Sequence, residues 1–426
     1  MKKHTSFKNP FIVFSPFLLL FVVLVLKLHS DEMIGDEGGY IQFAQNLLQG
    51  FYSPPAPDID LWWGPGYPLL LTPFIAMGLP LVFITLTNAV LQYLSIVILF
   101  KAISQLVDFS KAMAFSLLWG LCYSIYPFMA RILTETLSSF LITLFVYFTI
   151  KAFKEGTNKE LYLAGFTLGY LALTKVMFGY VMLFLLLWSF LMWLKNTRAI
   201  EYRKSIVIVL IGFLTASPYL IYTYKLTDRF FYWGNSGGMS LYWMSNTNDN
   251  EYGNWDNENF DALKDLGGGN TKLLKQNHQE NFEYILQFKG VEKDDAYKEI
   301  AIQNIKSHPK KYIKNIYANI SRMIFGFPYH YAHQIPLIKV WYFAVLFSLT
   351  LYSIVLTIIN WNKLVYSLRF VLVFTSIYLG GSTLLSAYNR QLIIIVPALL
   401  LWIAYIVSKS IKFNIKLKRY SENQSH

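Results

Sequence analysis

Long apolar runs recur through this chain of 426 residues, and they constrain its fold more than any other feature. A helix that crosses a bilayer needs roughly 18 to 22 mostly apolar residues, because each residue advances the helix by only about 1.5 Å. Reading each such run as a span predicts ten transmembrane helices. They lie near residues 11 to 29, 80 to 100, 111 to 129, 132 to 150, 160 to 174, 177 to 194, 205 to 225, 338 to 360, 364 to 385 and 390 to 409.

A shorter apolar run, from Gly66 to Met77, is too rich in proline to span comfortably, so we interpret it as an interfacial or re-entrant helix. An eleventh span is the alternative. The composition, 55% hydrophobic and only 15% charged residues, agrees with an all-α polytopic membrane protein.

The net charge of +12 does not indicate nucleic-acid binding, because the basic residues occupy short loops and tails between the apolar runs rather than one basic face. With ten spans, these loops all fall on one side, which the positive-inside rule assigns to the cytoplasm. We therefore expect a multi-pass protein of a bacterial plasma (inner) membrane, with the acidic first loop on the outer side.

The chain divides at its polar segments. Residues 1–225 form an N-terminal transmembrane region with a first outer loop at 30–79, and residues 338–409 form the C-terminal transmembrane helices. Residues 226–337 lose hydropathy and predict a small, mainly helical extracytoplasmic domain, with an amphipathic helix from Lys310 to Ile324 after a break at His308-Pro309. Residues 410–426 form a basic cytoplasmic tail.

Carboxylates concentrate in the first outer loop, where Ser30 to Pro73 contains six Asp and Glu residues and no Lys or Arg. Such a charge bias at a membrane surface indicates chemistry rather than solubility alone. Asp36 precedes a helical pattern, where the free amides of a helix start favour an ionised carboxylate. Asp36 is thus either a helix cap or a catalytic base, and Glu37 either a first-turn dipole partner or a second catalytic carboxylate.

Cationic residues recur at the same predicted surface. Arg131 and Glu135 are spaced to pair with each other on one helical face. Lys175 could snorkel to the bilayer surface or meet a phosphate as a point charge. Arg390 could bind a phosphate in bidentate fashion or hold its span at the headgroups.

Taken in order, these motifs resemble the GT-C superfamily of membrane glycosyltransferases, specifically the branch of the protein O-mannosyltransferases and lipid A aminoarabinose transferases. The resemblance covers nearly the whole chain. It is carried by Asp36-Glu37-Gly38-Gly39-Tyr40, by Pro65-Gly66-Tyr67-Pro68-Leu69-Leu70, by Thr134-Glu135, by Gly169 to Lys175, by Gly237 to Tyr242, and by Asn389-Arg390.

The resemblance implies transfer of a sugar from a polyprenyl-phosphate donor to a hydroxyl acceptor on the outer face, with inversion. Matching motif positions makes Asp36 the catalytic base, places Lys175 and Arg390 at the carrier phosphate, and places Glu135 near the donor. We add Glu37 as a second candidate catalytic residue. The further candidates for substrate binding are Tyr40, Tyr67, Arg131 and Tyr388. The expected partners are the lipid-linked sugar donor, a glycan, lipid or protein acceptor, and membrane lipids. No metal ligand is assigned and no cofactor is identified, although a divalent metal requirement stays open.

Two alternatives remain on the sequence alone. The carboxylate pair Asp31-Glu32, five residues earlier, could supply the base in place of Asp36. A transporter or flippase of lipid-linked sugars, or a non-catalytic scaffold for envelope assembly, could also have this hydropathy. The absence of repeated halves and the clustering of ionisable residues at one surface favour the enzyme.

Overall fold

The structure, a computed structural model, describes residues 9–154, 158–255, 271–326 and 337–410. Throughout these ranges the regular structure is helical, which confirms the predicted all-α class. Most of the predicted basic tail lies outside the described residues, and the proposed domain boundaries stay predictions.

The helices follow the apolar pattern. Their bounds are α1 Pro10–Val13, α2 Ser15–Leu28, α3 Glu37–Leu48, α4 Gly66–Ala76, α5 Val82–Ile103, α6 Phe109–Gly120, α7 Tyr126–Met129, α8 Glu135–Lys154, α9 Asn158–Thr174, α10 Met177–Lys195, α11 Ile200–Thr227, α12 Gly237–Met244, α13 Thr271–Ile285, α14 Gly290–Ser307, α15 Pro309–Phe325, α16 Leu337–Ile359, α17 Tyr366–Leu384 and α18 Asn389–Ser410.

Helices occupy most of each of the ten predicted spans, with the spans at 11 to 29 and 111 to 129 each divided between two helices. Seven segments of the described chain are long and apolar enough to cross a membrane. These seven are Val82–Ile103, Phe109–Met129, Glu135–Lys154, Met177–Lys195, Ile200–Thr227, Tyr366–Leu384 and Asn389–Lys409. The count of ten is therefore not confirmed. Helix α2, with 14 residues, is about 21 Å long, short of a bilayer core of about 30 Å. Helix α4, with 11 residues, is shorter still, in line with an interfacial helix rather than a span.

Glycines bring α9 and α11 into close contact. A Cβ atom on Gly169 would lie 2.4 Å from the carbonyl oxygen of Gly212, and one on Gly165 would lie 2.6 Å from that of Ile208. Small residues allow such backbone contact between membrane helices, where van der Waals packing supplies much of the association energy. This packing fixes the C-terminal end of α9, which leads directly into Lys175.

The basic turns gather at one end of the helical bundle. Lys154, at the end of α8, donates to Gln105 Oε1 at 3.0 Å, and Lys204, in α11, donates to the carbonyl of Ala152 at 3.0 Å. Tyr366, at the start of α17, contacts Ser205 Oγ at 2.7 Å. The charge bias in the sequence thus corresponds to a single surface of the fold.

The segment between α11 and α16 forms its own small apolar cluster. Tyr242 and Trp243 of α12 pack with Phe282 of α13 and Tyr297 of α14. A buried hydrogen-bonded chain adds to this, in which His278 contacts the Tyr242 hydroxyl at 2.6 Å and Glu251 at 2.7 Å. This segment is mainly helical, as predicted, and its place on the outer side stays a prediction.

Candidate active site

Asp36 and Arg390 meet at the end of the bundle opposite the basic turns. Arg390 Nη1 donates to Asp36 Oδ2 at 3.0 Å, which joins the start of α3 to the first turn of α18 across 354 residues of sequence. Asp36 occupies the N-cap position of α3, as predicted, but its side chain makes no capping hydrogen bond. Its carboxylate therefore faces the site rather than its own helix, and it remains 29% exposed.

Glu37 lies beside Asp36 but is buried and fully engaged. Its Oε1 accepts from the amide of Ile132 at 2.8 Å, and its Oε2 accepts from the amide of Ile34 at 2.9 Å and from Arg131 Nη2 at 2.7 Å. Burial alone would raise the pKa of Glu37, but these bonds and the Arg131 charge outweigh it and hold the pKa below its usual range. Glu37 thus ties the first loop to the segment before α8.

Glu135 and Lys175 form a second ion pair. Lys175 Nζ lies 3.1 Å from Glu135 Oε1, and the Glu135 side chain is only 1% exposed. Glu135 also interacts electrostatically with Arg390, so the two ion pairs form one charged cluster. The predicted pairing of Arg131 with Glu135 is wrong, because α8 begins at Glu135 and Arg131 lies outside the helix, where it turns to Glu37 instead.

Aromatic side chains form one wall of this cluster. The ring of Tyr40 lies 5.1 Å from that of Trp63 and 5.2 Å from that of Tyr67, and both tyrosines are buried. Burial, with the nearby charges of Asp36 and Glu135, raises the pKa of Tyr40 well above its ordinary value. Its phenol therefore stays neutral and can donate a hydrogen bond.

The glycine- and proline-rich segment at the start of α4 packs against the residues that precede Lys175. A Cβ on Gly64 would lie 2.1 Å from the carbonyl oxygen of Leu173, and one on Gly66 would lie 2.7 Å from the amide of Thr174. The hydroxyl of Tyr170 donates to the carbonyl of Gly66 at 2.8 Å. These close contacts explain why this segment contains glycine at two of its positions.

Tyr388 lies in the turn before Arg390 and contacts the outer segment. Its hydroxyl donates to the carbonyl of Trp255 at 3.0 Å and accepts from the amide of Trp255 at 3.1 Å. The guanidinium of Arg322 lies over its ring at 5.5 Å. Tyr388 therefore positions the Arg390 turn, and its predicted contact with substrate stays a prediction.

Two residues that sequence reasoning missed hold the same turn. Asn319 of α15 donates to the carbonyl of Leu385 at 2.6 Å and accepts from the amide of Ala387 at 2.9 Å. Arg322, one turn further along, donates to the carbonyls of Ala387 and Gly253. The signal for these residues in the sequence was the polar face of an amphipathic helix, and that pattern does not indicate which residues the face contacts.

An apolar groove lies along the bundle between α10 and α17. It encloses about 480 Å³ between α10 and α17, and Phe184, Trp188, Leu191, Val373, Ile377 and Leu384 are among its lining residues. Met177 and Tyr180 also line a second cavity of about 210 Å³ that contains Ser236, Ser240, Ser386 and Gln391. The groove and this more polar cavity thus share Met177 and Tyr180, and the cavity also borders Val176 and Gln391, which are next in sequence to Lys175 and Arg390.

Metal ligation was left open by the sequence. Within the described ranges, no group of three or more His, Cys, Asp and Glu side chains could hold a metal ion. Asp36, Glu37 and Glu135 each contact a cationic side chain instead.

Residues 64–222 match a family model described as dolichyl-phosphate-mannose-protein mannosyltransferase. The matched stretch contains Arg131, Glu135 and Lys175. The predicted resemblance to GT-C membrane glycosyltransferases is confirmed. No curated protein sequence matches the chain significantly.

Solved structures with a similar fold include two oligosaccharyltransferase structures and one of ArnT. An Archaeoglobus fulgidus oligosaccharyltransferase tethered to an acceptor peptide matches with a TM-score of 0.50 at 12% identity, over 93% of this chain and 49% of its own. The oligosaccharyltransferase AglB from the same organism, in complex with an inhibitory peptide and a dolichol-phosphate, gives 0.48 at 11% identity, over 93% and 50%. ArnT from Cupriavidus metallidurans, bound to undecaprenyl phosphate, gives 0.42 at 11% identity, over 93% and 77%. The chain thus spans about half the length of the two oligosaccharyltransferase chains, and the likeness concerns the fold alone.

Proposed function

We propose that this chain is a membrane glycosyltransferase that moves a sugar from a polyprenyl-phosphate donor to a hydroxyl acceptor, with inversion at the anomeric carbon. The observation that carries the proposal is the 3.0 Å contact between Asp36 and Arg390 beside the Glu135–Lys175 pair. It brings an accessible carboxylate and two cations to one end of a membrane-spanning bundle.

The reaction needs both kinds of charge. The acceptor oxygen attacks the anomeric carbon as the bond from that carbon to the phosphate oxygen breaks, and the phosphate leaves with the bonding electrons. The acceptor hydroxyl loses its proton to a base on the side of attack. Asp36 is the group assigned to take this proton, because a weakly acidic hydroxyl needs a carboxylate within hydrogen-bond reach. Arg390 and Lys175 stabilise the negative charge that develops on the departing phosphate.

Glu37 has a different part in this proposal. Both of its oxygens already accept hydrogen bonds from Arg131 and backbone amides, so it is assigned to positioning Asp36 rather than to proton transfer. The competing base, Asp31, is 87% exposed and contacts His29, which favours Asp36.

The groove between α10 and α17 is assigned to the polyprenyl chain of the donor. Its lining is almost entirely apolar, as an isoprenoid chain requires, and its neighbouring polar cavity borders residues that are next in sequence to the proposed phosphate ligands. The family matched over residues 64–222 is described by a dolichyl-phosphate sugar, a donor of the same chemical class.

The proposal places the site on the outer face of a bacterial plasma membrane. The gathering of the basic turns at the opposite end supports this orientation through the positive-inside rule.

The decisive experiment compares Asp36→Asn with Asp31→Asn in the purified full chain, supplied with radiolabelled polyprenyl-phosphate sugars and envelope extract. Asp36→Asn is expected to abolish transfer of the label and Asp31→Asn to retain it. Transfer that survives in Asp36→Asn but not in Asp31→Asn would move the base to the earlier pair. Movement of intact labelled donor across vesicles without transfer would favour the flippase.

A further inference from the structure

Helix α15 presents a row of apolar side chains outward and several polar side chains toward the protein. Ile313, Tyr317 and Ile324 are 55%, 67% and 39% exposed, and with Ile320 they follow the spacing of a single helix face. On the opposite face, Asn315, Asn319 and Arg322 are buried. A helix on a water-soluble surface shows the reverse order.

Hydrogen bonds from the buried polar face hold the helix to the protein. Asn315 donates to the carbonyls of Met244 and Asn246, both at 3.0 Å, while Asn319 and Arg322 bind the turn between α17 and α18. The orientation of α15 about its own axis is therefore fixed. The outward apolar face cannot rotate inward without losing these bonds.

The position of α15 along the bundle sets it at the membrane surface. Its side chains donate hydrogen bonds to the carbonyls of Ser382, Thr383 and Leu384, which lie at the outer end of α17. Both α17 and α18 are long and apolar enough to span a membrane. A turn that joins two spans lies at the bilayer boundary. Helix α16, which follows α15 in sequence, is apolar where its side chains are described, from Phe347 to Ile359.

The charge of the helix fits the same surface. Residues 309–325 contain four basic residues and no Asp or Glu, and Lys310 and Lys314 are exposed on one flank of the apolar face. An exposed apolar face bordered by lysines is the pattern of a helix that lies in the interface of an anionic membrane.

We infer that α15 is a lipid-binding interfacial helix, with Ile313, Tyr317 and Ile324 seated among acyl chains and Lys310 and Lys314 against anionic headgroups. Because Asn319 and Arg322 hold the turn that precedes Arg390, the membrane surface supports the geometry of the site through this helix. The inference does not depend on the proposed sugar transfer.

A single fluorophore can locate the helix in the full-length chain, since Cys122 is the only cysteine. In a Cys122→Ser background, an environment-sensitive label is attached at Tyr317→Cys, and at Glu292→Cys on the exposed side of α14 as the matched control. The protein is reconstituted in nanodiscs of phosphatidylcholine with and without phosphatidylglycerol. Quenching is measured with nitroxides on the acyl chains and with aqueous iodide.

The label at position 317 is expected to be quenched several-fold more by acyl-chain nitroxides than the label at position 292, and the reverse is expected for iodide. Equal iodide quenching at both positions would overturn the inference. Protection of position 317 from both quenchers would also overturn it, since a protein partner or second copy would then cover the face.

The headgroup contact has its own test. Thermal unfolding of the unlabelled chain is compared between the two nanodisc compositions for the unmodified protein, for Lys310→Gln/Lys314→Gln, and for the control Lys293→Gln/Lys298→Gln on α14. Phosphatidylglycerol is expected to raise the melting temperature of the unmodified protein and the control, and this gain should be lost in the α15 pair. An unchanged gain in the α15 pair would contradict the lysine assignment.

Discussion

Each cation in the site has a carboxylate beside it before any substrate binds. Asp36 holds Arg390, and Glu135 holds Lys175. An unpaired charge is costly at a partly buried position, so these carboxylates keep the cations charged and in place. Under the proposed function, an arriving phosphate competes with Asp36 for Arg390 and frees the Asp36 carboxylate to accept a proton. Donor binding and activation of the base would then be coupled.

The guanidinium of Arg390 is expected to matter for its shape as well as its charge. Arg390→Gln should lower sugar transfer by roughly 10²-fold, the loss seen when one donor to a developing oxyanion is removed. Arg390→Lys should recover part of the rate, because lysine keeps the positive charge but replaces the planar guanidinium with a point charge. Single-turnover transfer assays measure both variants.

A matched control for this test is Arg229→Gln, which breaks an ion pair with Asp295 in the outer segment. It is expected to leave transfer close to that of the unmodified protein. Equal losses in Arg229→Gln and Arg390→Gln would show that general destabilisation, rather than phosphate contact, explains the effect.

The Glu37 network predicts a dependence of stability on pH. The pKa of Glu37 lies below its ordinary value of 4.5, so the carboxylate stabilises the fold above that pH, and the stabilisation is lost as pH falls through the lower folded pKa. We expect Glu37→Gln to be less stable than the unmodified protein at neutral pH, with a smaller further loss under acid. Thermal unfolding in detergent, recorded for both proteins at a series of pH values from neutral to acid, measures this difference in stability. Parallel pH profiles for the two proteins would contradict it.

At the scale of the helices, the apolar pattern predicted nearly every element, while the contacts between elements were beyond it. Hydropathy located α5, α8 and α17 because lipid requires continuous apolar faces. The pairing of Arg131 was mispredicted because it depends on where α8 begins, and a shift of a few residues moves a side chain out of helical register. The contacts of Asn319 with the turn after α17 join residues more than 60 positions apart, which no local pattern reports.

The packing of α9 against α11 gives a test at this scale. Gly169→Ala would place a methyl group 2.4 Å from the carbonyl oxygen of Gly212, so one helix must shift. We expect a loss of about 2 kcal/mol in unfolding free energy, within the usual cost of overpacking. Gly380→Ala in α17 is the matched control, since a Cβ there meets nothing within 4 Å. Denaturation in a mild detergent compares the two, and equal stability would argue against close helix contact.

Over the whole molecule, the two ends of the bundle differ in chemistry. One end gathers the basic turns through contacts such as Lys204 with Ala152, and the other gathers the ion pairs of the site. This polarity is visible in the sequence once the spans are counted. The site itself was only partly predictable, since Asp36, Lys175 and Arg390 were chosen by motif but their partners depend on the assembled fold.

The proposed orientation can be tested on intact cells. In a Cys122→Ser background, Asp31→Cys should react with a membrane-impermeant thiol reagent added outside, because Asp31 is exposed at the site end. Lys195→Cys, at the basic end of α10, should react only after the cells are permeabilised. Labelling in the opposite order would invert the topology and place the site on the cytoplasmic side.

The contact between Asp36 and Arg390 also bears on biosynthesis. Its two halves emerge from the ribosome 354 residues apart, one in the first loop and the other at the start of α18. A nascent polypeptide thus lacks this pair until its final helix has been inserted and docked. Incomplete translation products, or chains degraded from the carboxyl end into α18, would embed in the bilayer without gaining a competent catalytic centre.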